Sequence, residues 1–209
     1  YYLLENLPFA DHRALLDPPT ADVTARCISF LTQIGTSNNH PISRGLEFLK
    51  RNQEEDGSWY GRWGTNYIYG TWSVLSALNV ANESMSAPYV QKAVNWLLSR
   101  QQEDGGWGED CASYWDHRKN TVKSSIPSQT AWALLALMAA GEIKNEAVLR
   151  GVNYLTENTD WSDKYFNAVG FPRVFFLKYH GYSQYFPLLA LSRYVHLTGS
   201  NSNKTEFGI

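Results

Sequence analysis

The sequence predicts an all-α protein, an α/α toroid of the α6-α6 barrel type built from helical hairpins and incomplete in this chain. Three observations lead there. Apolar residues recur at helical spacing along most of the chain, and no run alternates with a period of two between turn signals, so a major sheet is not expected. Helices with one apolar face alternate with helices that are apolar on every side, as covering and covered layers must. A block of about fifty residues repeats, the length of one hairpin and its loop.

Taken in order, Val23, Cys27, Phe30 and Ile34 fall at helical spacing behind Pro18-Pro19, with Thr20 as N-cap. Residues 43–53 are amphipathic through Leu46 and Leu49, with Arg44, Glu47, Lys50 and Arg51 on the wet face. Residues 66–81 are apolar nearly all round. Residues 87–102, opened by Ser86 and Pro88, return to an amphipathic pattern through Val90, Val94 and Leu97. Residues 127–140 are again apolar all round, 146–157 are amphipathic through Val148, Val152 and Leu155, and 187–197 are mostly apolar. That makes about seven helices where a closed toroid of six hairpins needs twelve. With no Met at position 1, the sequence reads as a C-terminal piece of a longer protein, with residues 1–197 in the helical domain and 198–209 as a loose polar tail.

The repeat is specific in its spacing. Arg44-Gly45-x3-Leu49-x3-Gln53-x3-Gly57-Ser58-Trp59 matches Lys92-Ala93-x3-Leu97-x3-Gln101-x3-Gly105-Gly106-Trp107. A third copy begins at Arg150-Gly151-x3-Leu155, then lacks both the Gln and the Gly-x-Trp and ends at Trp161, which predicts a weaker clamp. Gln53 and Gln101 end their helices, Gly allows the chain to reverse, and Trp59 or Trp107 can fold over the Gln amide to clamp neighbouring hairpins. The plainer alternative is a generic helix stop with a packing Trp.

Composition narrows function by exclusion. The 209 residues carry 18 Lys and Arg against 20 Asp and Glu, too balanced for nucleic acid. Cys27 and Cys111 lie far apart, which is no disulfide framework and suits a reducing compartment. The longest apolar run, Ala131 to Ala140, is too short to span a bilayer. No phosphate-binding loop, dinucleotide fingerprint, nucleophile elbow or H-E-x-x-H is present. Glu109, Cys111 and His180 could together hold zinc, but a capping carboxylate, a buried thiol and a surface imidazole explain them better. Glu54-Glu55-Asp56 and Glu109-Asp110 read as solvated turns, and Asp22 as the ion-pair partner of Arg26 one turn on.

Aromatic residues make up 14% of the chain, enough to demand either a very large core or a ring-lined cavity. Arg62 to Trp72 brings Trp63, Tyr67, Tyr69 and Trp72 to the start of an inner helix. Phe171, Phe175, Tyr179 and Tyr182 fall at helical spacing and predict a second inward stripe. A toroid needs its hole filled or lined, and ring faces tolerate a passing cation.

These strings resemble the triterpene cyclases. The two repeats look like that family's QW motifs, with Gln53, Trp59, Gln101 and Trp107 as their structural residues. Pro8-Phe9-Ala10-Asp11, Asp17-Pro18-Pro19, Asp22-Val23-Thr24-Ala25, Gly61-Arg62-Trp63-Gly64, Gly105 to Cys111, Pro127 to Leu134 and Gly170-Phe171-Pro172 resemble the C-terminal portion of bacterial squalene–hopene cyclases, from about residue 5 to 197. The resemblance implies an isomerase and lyase of hopanoid biosynthesis. In that family an Asp of a D-x-D-D motif protonates squalene, and rings close in a carbocation cascade ending as hopene or hopanol, without metal or cofactor. By motif, Trp63 and Tyr69 would lie near the acid, with Tyr69, Asp22 and Arg26 as its supporting network. Phe171 and Phe175 would stabilise later cations, Leu177, Tyr179 and Tyr182 would shape the pocket, and Phe9 with Ala10 would form the narrow substrate access. The implied partners are squalene, the remaining N-terminal part of the enzyme and the cytoplasmic face of a bacterial membrane, bound monotopically, with a homodimer left open.

The departures are specific. No D-x-D-D occurs in the chain, so the proton donor is expected upstream and the chain alone is expected to be inactive. Arg26 stands where a family pattern has a His, and Ala10 where it has a Cys. Two other readings stay open: a non-enzymatic helical-repeat module, and a zinc enzyme resembling the protein prenyltransferases.

Overall fold

The computed structural model describes residues 18–35, 39–115, 119, 124–158 and 160–199. The access expected at Phe9 and Ala10, and the tail beyond Gly199, lie outside the described residues. Among the described residues there are seven α-helices: α1 (Ala21–Gln33), α2 (His40–Arg51), α3 (Tyr67–Val80), α4 (Pro88–Ser99), α5 (Pro127–Ala139), α6 (Glu146–Glu157) and α7 (Tyr182–Thr198). A 3-10 turn at Cys111–Tyr114 and a hairpin of β1 (Ala168–Phe171) and β2 (Phe175–Leu177) complete the described elements.

The layering follows from polarity. Helices α3 and α5 bury nearly every residue, so they pack side by side in a row α1–α3–α5–α7, while α2, α4 and α6 cover that row from outside. Ala25, Ile28, Leu75, Leu78, Leu134 and Leu137 form the inner seam, and Leu49, Val90, Leu97, Val148 and Leu155 dock the outer layer onto it. Among the described residues, α1 and α7 stand at the ends of this row. Both end helices leave apolar side chains uncovered among the described residues: Val23 and Phe30 on one, Tyr185, Leu188 and Val195 on the other.

The repeated turns show a division of labour that differs from the expected clamp. The Trp59 indole N–H donates to the Leu49 carbonyl at 2.8 Å, and Trp107 does the same to Leu97 at 2.8 Å, each closing the end of its own outer helix. The amide of Gln53 donates to Gly57 and Tyr89 carbonyls, and that of Gln101 to Gly105 and Ala147, so Gln rather than Trp reaches the next outer helix. The backbone N–H groups of Trp59 and Trp107 donate to Thr71 and Thr130 on inner helices. Gly57 and Gly105 hold φ of +100° and +88°, and a Cβ there would stand 2.6 Å from the Lys92 or Arg150 carbonyl oxygen. One turn thus ties together three helices.

The third copy keeps more than its sequence suggests. Trp161 donates to the Leu155 carbonyl at 2.9 Å, the same bond reached over six residues instead of ten.

Two further expectations are corrected. Phe171, Phe175 and Tyr179 do not share a helical stripe: Phe171 and Phe175 pair across an antiparallel hairpin, because Pro172 and a left-handed Arg173 (φ 67°) turn the chain between them. Helix α7 begins at Tyr182, five residues before the expected start, with Pro187 inside it.

Replacing Trp107 by Phe should therefore strip the Leu97 carbonyl of its side-chain donor, leaving it only the Arg100 N–H, and open space at a fully buried position, at a cost of about 1–3 kcal/mol. Trp161→Phe, at a partly exposed turn, should cost under about 1 kcal/mol. Urea midpoints at constant m-value measure both, and equal losses would contradict the distinction.

Candidate active site

The site is built on the loop that leads into α3. Residues 61–66 have no regular structure of their own and are held from several sides. The Tyr114 hydroxyl donates towards the Gly61 and Gly64 carbonyls at 2.7 and 2.9 Å. The Trp63 carbonyl accepts from Val169 of β1, and Thr65 N–H donates to the Asn167 carbonyl, so the loop adds to the hairpin edge. Glu109 accepts the N–H groups of Asn66 and Ile68 at 3.1 and 3.0 Å, capping the start of α3. Burial pushes its carboxyl pKa up, against those two hydrogen bonds.

Glu109 is thus no solvated turn residue, and Asp56 is likewise engaged, accepting from Ser58 and the Trp96 indole. The zinc reading also fails on placement. Glu109 serves the helix start, His180 is exposed, and among the described residues no group of His, Cys, Asp or Glu is placed to hold a metal ion.

A cleft of about 520 Å³ opens beside this loop, walled by Asp22, Val23, Arg26, Cys27 and Phe30 of α1 together with Trp63 and Tyr69. The structure thus brings together Trp63, Tyr69, Asp22 and Arg26, but not as expected. Asp22 is buried and makes no ion pair with Arg26. Its carboxylate accepts from the Thr20 hydroxyl, the Val23 N–H and, at 2.9 Å, the Trp63 N–H. Arg26 lies instead over the Trp72 ring, 4.1 Å from its centroid. Burial raises the Tyr69 hydroxyl pKa, and the Arg26 charge pulls the other way.

The hairpin forms a second aromatic group. Phe171 and Phe175 meet edge to face at 5.2 Å, and Phe175, Leu177 and Tyr179 are all exposed among the described residues. Tyr182 packs on Tyr179 and Phe186, each at 5.0 Å.

Residues that the sequence did not single out join the two groups. Trp132 of α5 touches both Tyr69, at 5.1 Å, and Tyr182, at 6.0 Å, and stacks parallel to Trp72. Phe186 closes the cluster against Trp72 and Trp132. Arg62 lies over the Trp63 and Phe171 rings and donates to the Gly170 carbonyl at 3.0 Å. The signal for Trp132 was present, since a Trp in a helix apolar all round must be buried among other elements.

A family model described as the squalene-hopene cyclase C-terminal domain matches residues 1–196. The chain is 58% identical over 207 residues to a probable squalene–hopene cyclase of Sinorhizobium fredii, covering 96% of this chain and 32% of that protein. It is 54% identical to the squalene–hopene cyclase of Zymomonas mobilis over 215 residues, 100% of this chain and 33% of the relative. A squalene-hopene cyclase of the yeast Schizosaccharomyces japonicus is also 54% identical, over 98% of this chain and 32% of its own, so such relatives are not confined to bacteria. The chain belongs to the squalene–hopene cyclase C-terminal domain family, and it spans about a third of the length of these relatives.

The cysteines offer a check on the site's geometry. Burial pushes the half-buried Cys111 thiol up to about 11, whereas Cys27 is exposed on the cleft wall. At pH 8, iodoacetamide should alkylate Cys27 on the order of a hundredfold faster than Cys111, and the gap should narrow towards pH 11. Mass spectrometry of the labelled peptides measures this; comparable rates at pH 8 would contradict the placement.

Proposed function

We propose that this chain is the C-terminal third of a squalene–hopene cyclase and supplies the aromatic wall along which a carbocation cascade runs. The observation that carries this is the cleft beside Trp63 and Tyr69, whose rings connect through Arg62 to Phe171 and Phe175 and through the buried Trp132 to Tyr182, in a chain of that family.

The chemistry asks two things of the protein. A strong acid must protonate a terminal alkene, which leaves a tertiary cation. Each next double bond then attacks that cation, closing a ring and passing the charge on. Loss of a proton ends the reaction as hopene, an isomer of squalene, and capture of water ends it as hopanol. A moving cation with no fixed counterion is stabilised by ring faces, each offering about 0.5–2 kcal/mol, and by exclusion of water.

The described residues fit the second requirement. Trp63 and Tyr69 wall the starting end, with Asp22 and Arg26 as supporting groups around it. Phe171 and Phe175 face later charge, while Leu177, Tyr179 and Tyr182 shape the pocket. The proton donor belongs to the rest of the enzyme, and the chain by itself is inactive. Squalene has no polar group and partitions into bilayers, where the enzyme would have to meet it. Monotopic attachment to the cytoplasmic face of a bacterial membrane is therefore part of the same proposal.

The full-length protein incubated with squalene in detergent should form hopene and hopanol, and residues 1–209 alone should form neither. Phe171→Ala and Phe175→Ala in the full-length protein should each lower pentacyclic product about tenfold or more. Gas chromatography of the extract decides the matter. Product from the 209-residue chain would refute its inactivity, and a full-length protein that leaves squalene untouched would refute the cyclase.

A further inference from the structure

Arg62 is the feature that the cascade chemistry does not account for. Its side chain is only 7% exposed, and burying a guanidinium is costly unless its donors and faces are used. They are used in a particular way. One terminal nitrogen donates to the Gly170 carbonyl at 3.0 Å, at the inner end of the hairpin turn. The guanidinium carbon lies 4.3 Å from the Trp63 ring centroid and 5.8 Å from that of Phe171. One planar group therefore contacts the wall of the cleft, the hairpin backbone and the hairpin's first ring.

The surroundings show why such a bolt is needed. The hairpin is short, with β2 only three residues long, and the register shifts between Val169 and Phe171. A hairpin of that size is marginal on its own. Two backbone bonds join it to the 61–66 loop, Val169 N–H to the Trp63 carbonyl and Thr65 N–H to the Asn167 carbonyl. Both lie at the base of the hairpin, before Gly170. Towards the tip, Arg173 Nε donates to the Tyr114 carbonyl at 2.7 Å, which holds the turn but not the ring of Phe171. Arg62 reaches the interval between these anchors.

We propose that Arg62 is a positioning residue, fixing the Phe171 ring at a set distance from Trp63 and so deciding how far cyclisation runs before the charge is quenched. This rests on the cyclase reading. A ring placed an ångström away from a developing cation loses much of its stabilisation, and a cation left waiting loses a proton or meets water with fewer rings closed. Loosening Arg62 should therefore change which products form more than how fast squalene is consumed.

The test uses the full-length protein with Arg62→Met, which keeps length without charge or donors, and Arg62→Lys, which keeps charge without the planar fork. Arg62→Met should raise the ratio of incompletely cyclised to pentacyclic products about tenfold, and more than it slows squalene loss. Arg62→Lys should fall between that and the parent. In an Arg62→Met, Phe171→Ala double variant the product ratio should match Phe171→Ala alone, because Arg62 acts through that ring. Unchanged product ratios, or effects that simply multiply, would overturn the proposal.

Hydrogen exchange supplies a second readout that needs no turnover. The Val169 and Val174 amides of the hairpin should exchange about tenfold faster in either variant, with α5 amides unmoved. Unchanged hairpin exchange overturns the anchoring, and loss of protection throughout α5 overturns a local role in favour of a general structural one. A parent protein that consumes no squalene while the exchange effect holds overturns the cyclase reading and the product claim, and leaves the anchor supported.

Discussion

Helices α3 and α5 have no polar face, and the rest of the structure answers to that constraint. Leaving either at a surface would expose rows of Leu, Ile, Ala and Trp at roughly 25 cal/mol per Å². Neighbours are needed on both flanks and behind, which gives the row α1–α3–α5–α7 and the outer layer of α2, α4 and α6. The repeated turn is the device that keeps the two layers in step. Its indole closes an outer helix, its Gln amide holds the next outer helix, and its backbone N–H takes a Thr hydroxyl from the inner row. Each bond alone is worth only about 0.5–1.5 kcal/mol. The buried polar groups they satisfy would each cost more if left unpaired.

The site inherits its geometry from the same arrangement. Segments that leave the turns run on to the starts of α3 and α5, where the chain must satisfy unpaired helix N–H groups. Glu109, on the segment after the second turn, caps α3, and the Gln129 side chain of α5 bonds the backbone at Glu109. Asp163, after the third turn, accepts from the N–H and hydroxyl of Ser128 at the start of α5. These polar ties fix one end of the inner row, and the loop carrying Trp63 and the hairpin carrying Phe171 are built on that end. Rigidity made for the fold is thereby available to the cleft.

Much of this was legible in the sequence, for physical reasons that also mark its limits. The helices and their layering followed from periodicity and from the absence of polar faces, both strong over twelve or more residues. The repeat located Gln53, Trp59, Gln101 and Trp107, but spacing alone could not say which atoms bond, and the Trp and Gln roles came out divided. In 171–182 the ring spacing suits one face of a helix. Pro172 and the left-handed Arg173 broke it into a hairpin, and Phe175, Leu177 and Tyr179 then show the period of two that a strand requires. Asp22 and Arg26 are one turn apart, yet tertiary partners outbid the local pair: a buried backbone N–H for the carboxylate and a Trp face for the guanidinium. The apolar helix around Trp132 marks its burial but not its partners, and Arg62 acts through long-range contacts that no local pattern encodes.

The two arginines bear on what the rings can do. At an effective dielectric of 20, two unit charges 7 Å apart repel by about 2 kcal/mol, as much as a good cation–π contact offers. A ring with a guanidinium nearby therefore attracts a second cation less than a ring without one. Phe171 has Arg62 at 5.8 Å, and Trp72 has Arg26 at 4.1 Å. Phe175 meets Phe171 through an edge-to-face contact and is 44% exposed, whereas Trp132 is fully buried, stacks on Trp72 and touches Tyr69, which itself lies beside the Arg26 charge. On the cyclase reading the labour divides accordingly. Phe171 is the ring whose position Arg62 holds, at some cost to its own pull on a cation, and Phe175 would present the freer face beside it, while the fully buried Trp72 and Trp132 would order the wall rather than meet the charge.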